Sequence, residues 1–200
     1  GTISLTRVSV PKYKFDYTYW SSPVVGFNLS AFNSPAVYVR NAVDDVWSRA
    51  SGAMEPGKGY IAMTDNNSKD NAVAKSITFS GTLNNGRINQ TVYTEANKWN
   101  LVGNPYPCAL DADEFLSDPV NSTRIEGGLY FWTHNTRISG FASNRGFFNE
   151  NDYAIYTISG GVGTSTAKTF DPLNQIPGFV YGGGNNASPN GYVASGQAFF

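Results

Sequence analysis

Two hundred residues with a formal net charge of -1, Lys and Arg being scattered and not clustered, lack the basic footprint that nucleic acid or an anionic membrane requires. No apolar run reaches the ~18 residues of a membrane-crossing helix, so neither nucleic-acid binding nor direct membrane insertion is expected. Charged and aromatic residues each make up 14% of the chain, and 21 glycines and 10 prolines punctuate it. Aromatic strands divided by tight turns read as all-β.

The first residues, GTISLTRVSV, have no basic start and no apolar stretch of a signal peptide, so targeting information is expected outside this chain. The clearest strand is KYKFDYTYW, in which Tyr13, Phe15, Tyr17 and Tyr19 alternate with Lys12, Lys14, Asp16 and Thr18, giving one aromatic and one polar face. Strands follow at 36–40 and 59–63. The run DNNSKDN from Asp65 places oxygen ligands at alternate positions, yet it has neither the central Gly nor the closing Glu of a calcium loop and reads as a solvated turn. Residues 76–83 and 87–93 read as a hairpin through Asn84-Asn85-Gly86, since Asn-Gly supplies the positive φ angles of a tight turn.

Only 111–117 reads as helix, about two turns long, with Asp111 as N-cap and Glu114 as its capping-box partner. Further strands are expected at 129–133, 152–158 and 191–200. The last of these runs to Phe200 with no closing turn, so something is expected to follow it.

Landmarks recur in the same order. Trp20 and Pro23, the strand Val37-Tyr38-Val39, Val46-Trp47 and the closure Gly57-Lys58-Gly59-Tyr60 are matched by a second series. That series is Trp99 and GNPYP, the strand Leu129 to Trp132, Tyr153 to Tyr156, and Gly196-Gln197-Ala198-Phe199. The expected organisation is two duplicated β units, 1–95 with the Asn-Gly hairpin and 96–200 with longer Gly- and Asn-rich insertions. They would form an antiparallel β-sandwich or jelly-roll-like fold, packed as one domain or as two lobes.

Residues that could carry chemistry are few. His134 is the only histidine, so any Ser-His-Asp or Cys-His mechanism must use it, and no Gly-x-Ser-x-Gly elbow accompanies it. Cys108, the only cysteine, follows a Pro-rich corner and does not open a helix that would stabilise its thiolate. One His and one Cys make a poor zinc set. Asp44, Asp45, Asp111, Asp113, Glu114, Glu150 and Asp152 are candidate glycosidase carboxylates, of which Asp111 and Glu114 are already accounted for by helix capping. GGVGTSTAKT lacks both glycines of a phosphate loop, Val162 and Ala167 standing in their places. The expected site is therefore not catalytic, with no metal and no cofactor. What remains is Trp20, Trp47, Trp99, Trp132 and the tyrosines, which are assigned mostly to the core, an exposed subset being able to stack on sugars.

Residues 98–115, KWNLVGNPYPCALDADEF, form a rigid corner in which Gly103 has backbone freedom, Asn104 and Tyr106 are held extended by the prolines after them, and Tyr106-Pro107 is a candidate cis bond. Together with YTYWSSPV, MEPGKGYI and the terminal GQAFF, this corner resembles a β-rich region of large Bacteroidota surface proteins. There it often precedes the C-terminal sorting domain read by the type IX secretion system. The resemblance implies an extracellular, cell-surface location and a non-catalytic interaction or spacer role such as adhesion. The alternative is a carbohydrate-binding accessory module of an exported enzyme. Implied partners are other domains of the same chain, surface glycans and type IX secretion components.

Overall fold

The computed structural model of the chain describes residues 1–65, 72–95, 98–135, 152–164 and 187–200. The fold is all-β, built of antiparallel sheets with one short α-helix among the described residues. Strand β1 (Thr2–Val8) pairs along its whole length with β6 (Ser76–Thr82). Strands β2 (Tyr17–Trp20), β3 (Val37–Asn41), β4 (Val46–Arg49) and β5 (Tyr60–Met63) make a four-stranded sheet in the order β2-β5-β3-β4. In the second half, β9 (Gly128–Trp132), β10 (Tyr153–Thr157) and β11 (Gly160–Val162) form a meander. Two short ladders flank it: β7 (Val102–Gly103) with β13 (Ala198–Phe199), and β8 (Leu110–Asp111) with β12 (Tyr192–Val193). Helix α1 (Ala112–Ser117) is capped by Asp111, whose carboxylate accepts from the N–H groups of Asp113 and Glu114, as the sequence suggests.

The strands expected at 36–40, 59–63, 129–133 and 152–158 and the helix at 111–117 are all present. Four other expectations are corrected. The alternation from Tyr13 to Tyr19 is not one strand, because the chain turns at Phe15 (φ 72°) and β2 starts only at Tyr17. Its supposed polar face is partly interior, Lys12 and Asp16 both being buried. The Asn-Gly hairpin does not form. Gly86 does take a positive φ of 75°, but β6 pairs with β1, and residues 87–93 are not strand. Asn84 draws that loop away from a hairpin by donating from its side chain to the carbonyls of Ser22 (2.8 Å) and Pro105 (3.1 Å). The 191–200 strand is split into β12 and β13 by a turn at Ser195-Gly196. Tyr106-Pro107 is trans, no cis peptide bond occurring among the described residues.

Two larger cores and a smaller cluster of Ile61, Leu101 and Ala198 fill the described part of the molecule. In one, Trp20, Phe27, Phe32 and Phe79 pack ring to ring with Val24, Met54 and Tyr60. In the other, Leu116, Leu129, Phe131, Tyr156, Val193 and Phe199 pack under α1.

The same hydrogen-bonding scheme occurs in both halves. Trp20↔Tyr60 of β2·β5 has its counterpart in Val102↔Phe199 of β7·β13. Tyr38↔Ile61 is matched by reciprocal bonds between Tyr130 and Phe200, and Arg40↔Trp47 by Trp132↔Tyr153. Asn28 caps the 3-10 helix Leu29–Phe32 as Asp111 caps α1. The turn after each Pro-preceding polar residue is also shared: Val24 N–H donates to Ser22 Oγ (3.2 Å) and Tyr106 N–H to Asn104 Oδ1 (2.9 Å).

The two halves exchange contacts reciprocally. Trp20 bridges to Gln197 while Val102 bridges to Lys58, and Ser21 N–H donates to Gly196 O as Gly103 N–H donates to Gly57 O. Matched residues meet each other at the centre. A Cβ on Gly103 would lie 2.5 Å from Ser21 Cβ, and one on Gly59 would lie 3.1 Å from Ala198 Cβ. That is the signature of a local two-fold axis, on which only one member of each matched pair has room for a side chain.

Candidate functional site

Alternation along the central strands sends one set of residues into the cores and the opposite set to a shared outer face. Trp20, Val37, Tyr60 and Ala62 point inward. Their neighbours Tyr17, Tyr19, Tyr38 and Ile61 point the other way and, with Trp47, Trp132 and Tyr153, line a cavity of about 320 Å³. Tyr19 sits at its centre. Its ring stacks on Trp132 (6.3 Å, 11°), and its hydroxyl shares a 2.7 Å hydrogen bond with that of Tyr153. Trp47 meets Tyr19 edge-on at 6.5 Å and remains 36% exposed.

Two arginines pack on rings of the cavity wall through cross-strand pairs. Arg40, opposite Trp47, lies 5.5 Å from that ring, and Arg49, opposite Tyr38, lies 5.4 Å from its ring. Arg40 pairs with Asp45. Arg49 donates to Pro35 O (3.2 Å), with no carboxylate in ion-pair contact among the described residues. Burial pushes the Tyr17 phenol up to about 12, helped by the Tyr38 phenol beside it, and pushes Tyr19 and Tyr153 above the usual tyrosine range. These hydroxyls therefore remain protonated donors at any physiological pH.

Three of the four tryptophans thus belong to one outer surface, Trp99 being 45% exposed beside Tyr130 and Phe200. Only Trp20 is core. Tyr17, Tyr19, Tyr38 and Phe200 pack against the buried cluster of Ile61, Leu101 and Ala198, so on this face the assignment of the rings mostly to the core is corrected only for Trp47 and Trp99. The signal that could have found it was in the strands themselves, where aromatic residues stand on both sides of YTYW and LYFW. A strand that is aromatic on both faces has rings left over once its core is filled.

The remaining candidates are dispersed. Asp44 accepts from Asn41 Nδ2 (2.7 Å) at the β3–β4 turn, Asp111 caps α1, and Asp113 accepts from the Tyr156 hydroxyl (3.0 Å). Cys108 is exposed, and no cluster of metal-ligating side chains occurs among the described residues. Glu150, residues 66–71 of the Asp65 run and residues 165–169 of the GGVGTSTAKT stretch lie outside the described residues.

His134 follows β9 as a buried, paired histidine. It has a positive φ of 59°, is 5% exposed, and its Nδ1 lies 2.7 Å from Asp16 Oδ1. Asp16 also accepts from Tyr17 N–H (2.8 Å). The pair ties the end of β9 to the start of β2. Lys12, 2% exposed, belongs to the same buried charge cluster and lines, with His134, a second cavity of about 420 Å³. Burial lowers the Lys12 amine to about 8, the Asp16 charge only partly opposing it, and burial likewise holds His134 below the usual imidazole range.

These shifts set the pH profile of stability. Between about 8 and its ordinary value of 10.5, Lys12 binds a proton in the unfolded chain and not in the folded one, so stability rises with pH across that window. His134 acts in the same direction below its ordinary 6.5. Above 10 the tyrosines lose protons when unfolded and keep them when folded, and stability falls. Urea midpoints should therefore peak near pH 10, and Lys12→Met should flatten the climb above pH 8. A flat native profile from pH 8 to 10 would contradict the buried-amine picture.

Residues 1–200 match the model of one protein family, described as Domain of unknown function (DUF8693). The chain belongs to that family. No curated protein and no solved structure matches this DUF8693 domain. Among its described residues no helix is long and apolar enough to cross a membrane.

Proposed function

We propose that this DUF8693 chain is a non-catalytic recognition domain that binds carbohydrate in the Tyr19–Trp47–Trp132 cavity, displayed at the cell surface by a larger exported protein. The observation that carries the binding reading is the chemistry of the cavity wall. About 320 Å³ of open space is bounded by aromatic rings and protonated phenols, with two guanidinium groups packed on rings of its wall. Ring faces pack against the C–H faces of a pyranose, while hydroxyl and guanidinium donors match its oxygens. An adhesin and an accessory module of an enzyme would both use such a site. The surface location and the type IX route rest on the resemblance carried by residues 98–115 with the closing GQAFF.

Trp47→Ala removes an exposed ring from the rim and should leave the fold intact. On a glycan array and in affinity electrophoresis with polysaccharide gels, the variant should bind about tenfold more weakly, roughly 1.4 kcal/mol. Its melting temperature should move by no more than about 3 °C. Native protein that binds no glycan, or that cleaves one catalytically, would end this reading.

A further inference from the structure

The cavity is one end of a longer ring surface. Phe200 joins it to the other half of the molecule, lying about 6.0 Å from the rings of Tyr19, Trp47 and Tyr153 and 5.9 Å from that of Trp99. Beyond Phe200 the two-fold correspondence repeats the edge-on ring pair of the first half. Tyr17 meets Tyr38 at 6.1 Å and 68°, and Trp99 meets Tyr130 at 5.0 Å and 80°. These pairs occupy matched positions, since Tyr38 pairs with Ile61 as Tyr130 pairs with Phe200. The central hub, Phe200, stands where the other half has Ile61. Trp99 does not line the cavity.

We infer that this face was built from two copies of one unit and takes an extended glycan chain across both, with Tyr17–Tyr38–Trp47 gripping one part and Trp99–Tyr130 another. The inference rests on the carbohydrate reading above and adds to it the class of ligand: a linear polymer bound along its length, not a terminal monosaccharide. Cations stand at both ends, Arg49 over Tyr38 and Lys98 beside Trp99, the latter donating to Val43 O. Matched apolar stacking with donors at each end suits a repeating chain, which offers the same face and the same hydroxyls at each step.

The test uses the whole 200-residue chain and calorimetric titration with β-1,4-linked glucose, xylose, mannose, N-acetylglucosamine and mannuronate series, each from monomer to octamer. For the series that binds, affinity should rise with each added unit and level off once the chain reaches Trp99. Trp99→Ala should weaken octamer binding about tenfold and leave the shortest binding member unchanged. Trp99→Tyr, which supplies the ring found at the matched position, should restore most of the loss, a result that an unfolded or merely destabilised protein could not give. Equal affinity for monomer and octamer, or an octamer indifferent to Trp99→Ala, overturns the extended-chain inference and leaves the carbohydrate reading standing. Failure of every series to bind native protein removes both.

Discussion

Gly103→Ala is expected to lower the melting temperature by about 5–10 °C, and Gly103→Val to leave the protein largely insoluble. Position 103 sits where the two halves touch. The new Cβ would stand 2.5 Å from Ser21 Cβ, 2.9 Å from Gln197 O and 3.0 Å from Ala198 Cα. Two of those neighbours are backbone, so relief requires the paired strands β7 and β13 to separate. Overpacking of this kind costs about 1–3 kcal/mol for a methyl group and more for a branched side chain. Removing the facing methylene with Ser21→Gly in the same chain should recover part of the loss, because one of the three close contacts then disappears. Differential scanning calorimetry of the native, single and double variants decides it. A Gly103→Ala protein melting within 2 °C of the native one would refute the close approach.

Asn104→Ala should cost about 3 kcal/mol in equilibrium urea unfolding, whereas Ser22→Ala, at the matched position of the other half, should cost about 1 kcal/mol. Both residues precede proline and close the same local turn. Asn104 does more, since its amide also donates to Cys108 O (2.8 Å) and Val193 O (3.0 Å) while its main-chain N–H donates to Gln197 O (2.9 Å). The side chain is fully buried, so alanine takes its donor away from the carbonyl of the equally buried Val193. Among the described residues the Ser22 hydroxyl bonds to Val24 alone, accepting from its N–H and donating to its carbonyl. Equal costs at the two positions would show that the amide's reach across to β12 contributes little. Asn104→Asp should be no better than alanine, because it replaces two donors with a buried negative charge.

Much of this architecture is written in local sequence, and the omissions have a common cause. Strands β3, β5, β9 and β10 and helix α1 are legible because apolar periodicity and the Asp111 cap are local signals. The pairing partners are not local. Asn84-Asn85-Gly86 has hairpin chemistry, yet a strand more than 70 residues away, β1, takes β6 in its place. The ordered recurrence of Trp, Pro, strand and Gly-x-aromatic pointed to an internal match, but nothing in it disclosed that Trp20 would bridge to Gln197 and Lys58 to Val102. The groove was hidden for the same reason: Tyr19, Trp132, Tyr153 and Phe200 are distant along the chain and become neighbours only when the two halves are in place. His134 looked ordinary because its partner, Asp16, lies 118 positions earlier in the chain.

The exchange at the centre also governs when the molecule can form. Strand β2 borders Gln197, β7 needs Ala198 and Phe199, and β9 exchanges bonds with Phe200, so both halves wait for residues 197–200 to emerge from the ribosome. A chain dominated by such remote partnerships searches slowly for its native arrangement. Until that late closure its tryptophans and tyrosines stay in water, open to any chaperone or translocation machinery that handles extended chains.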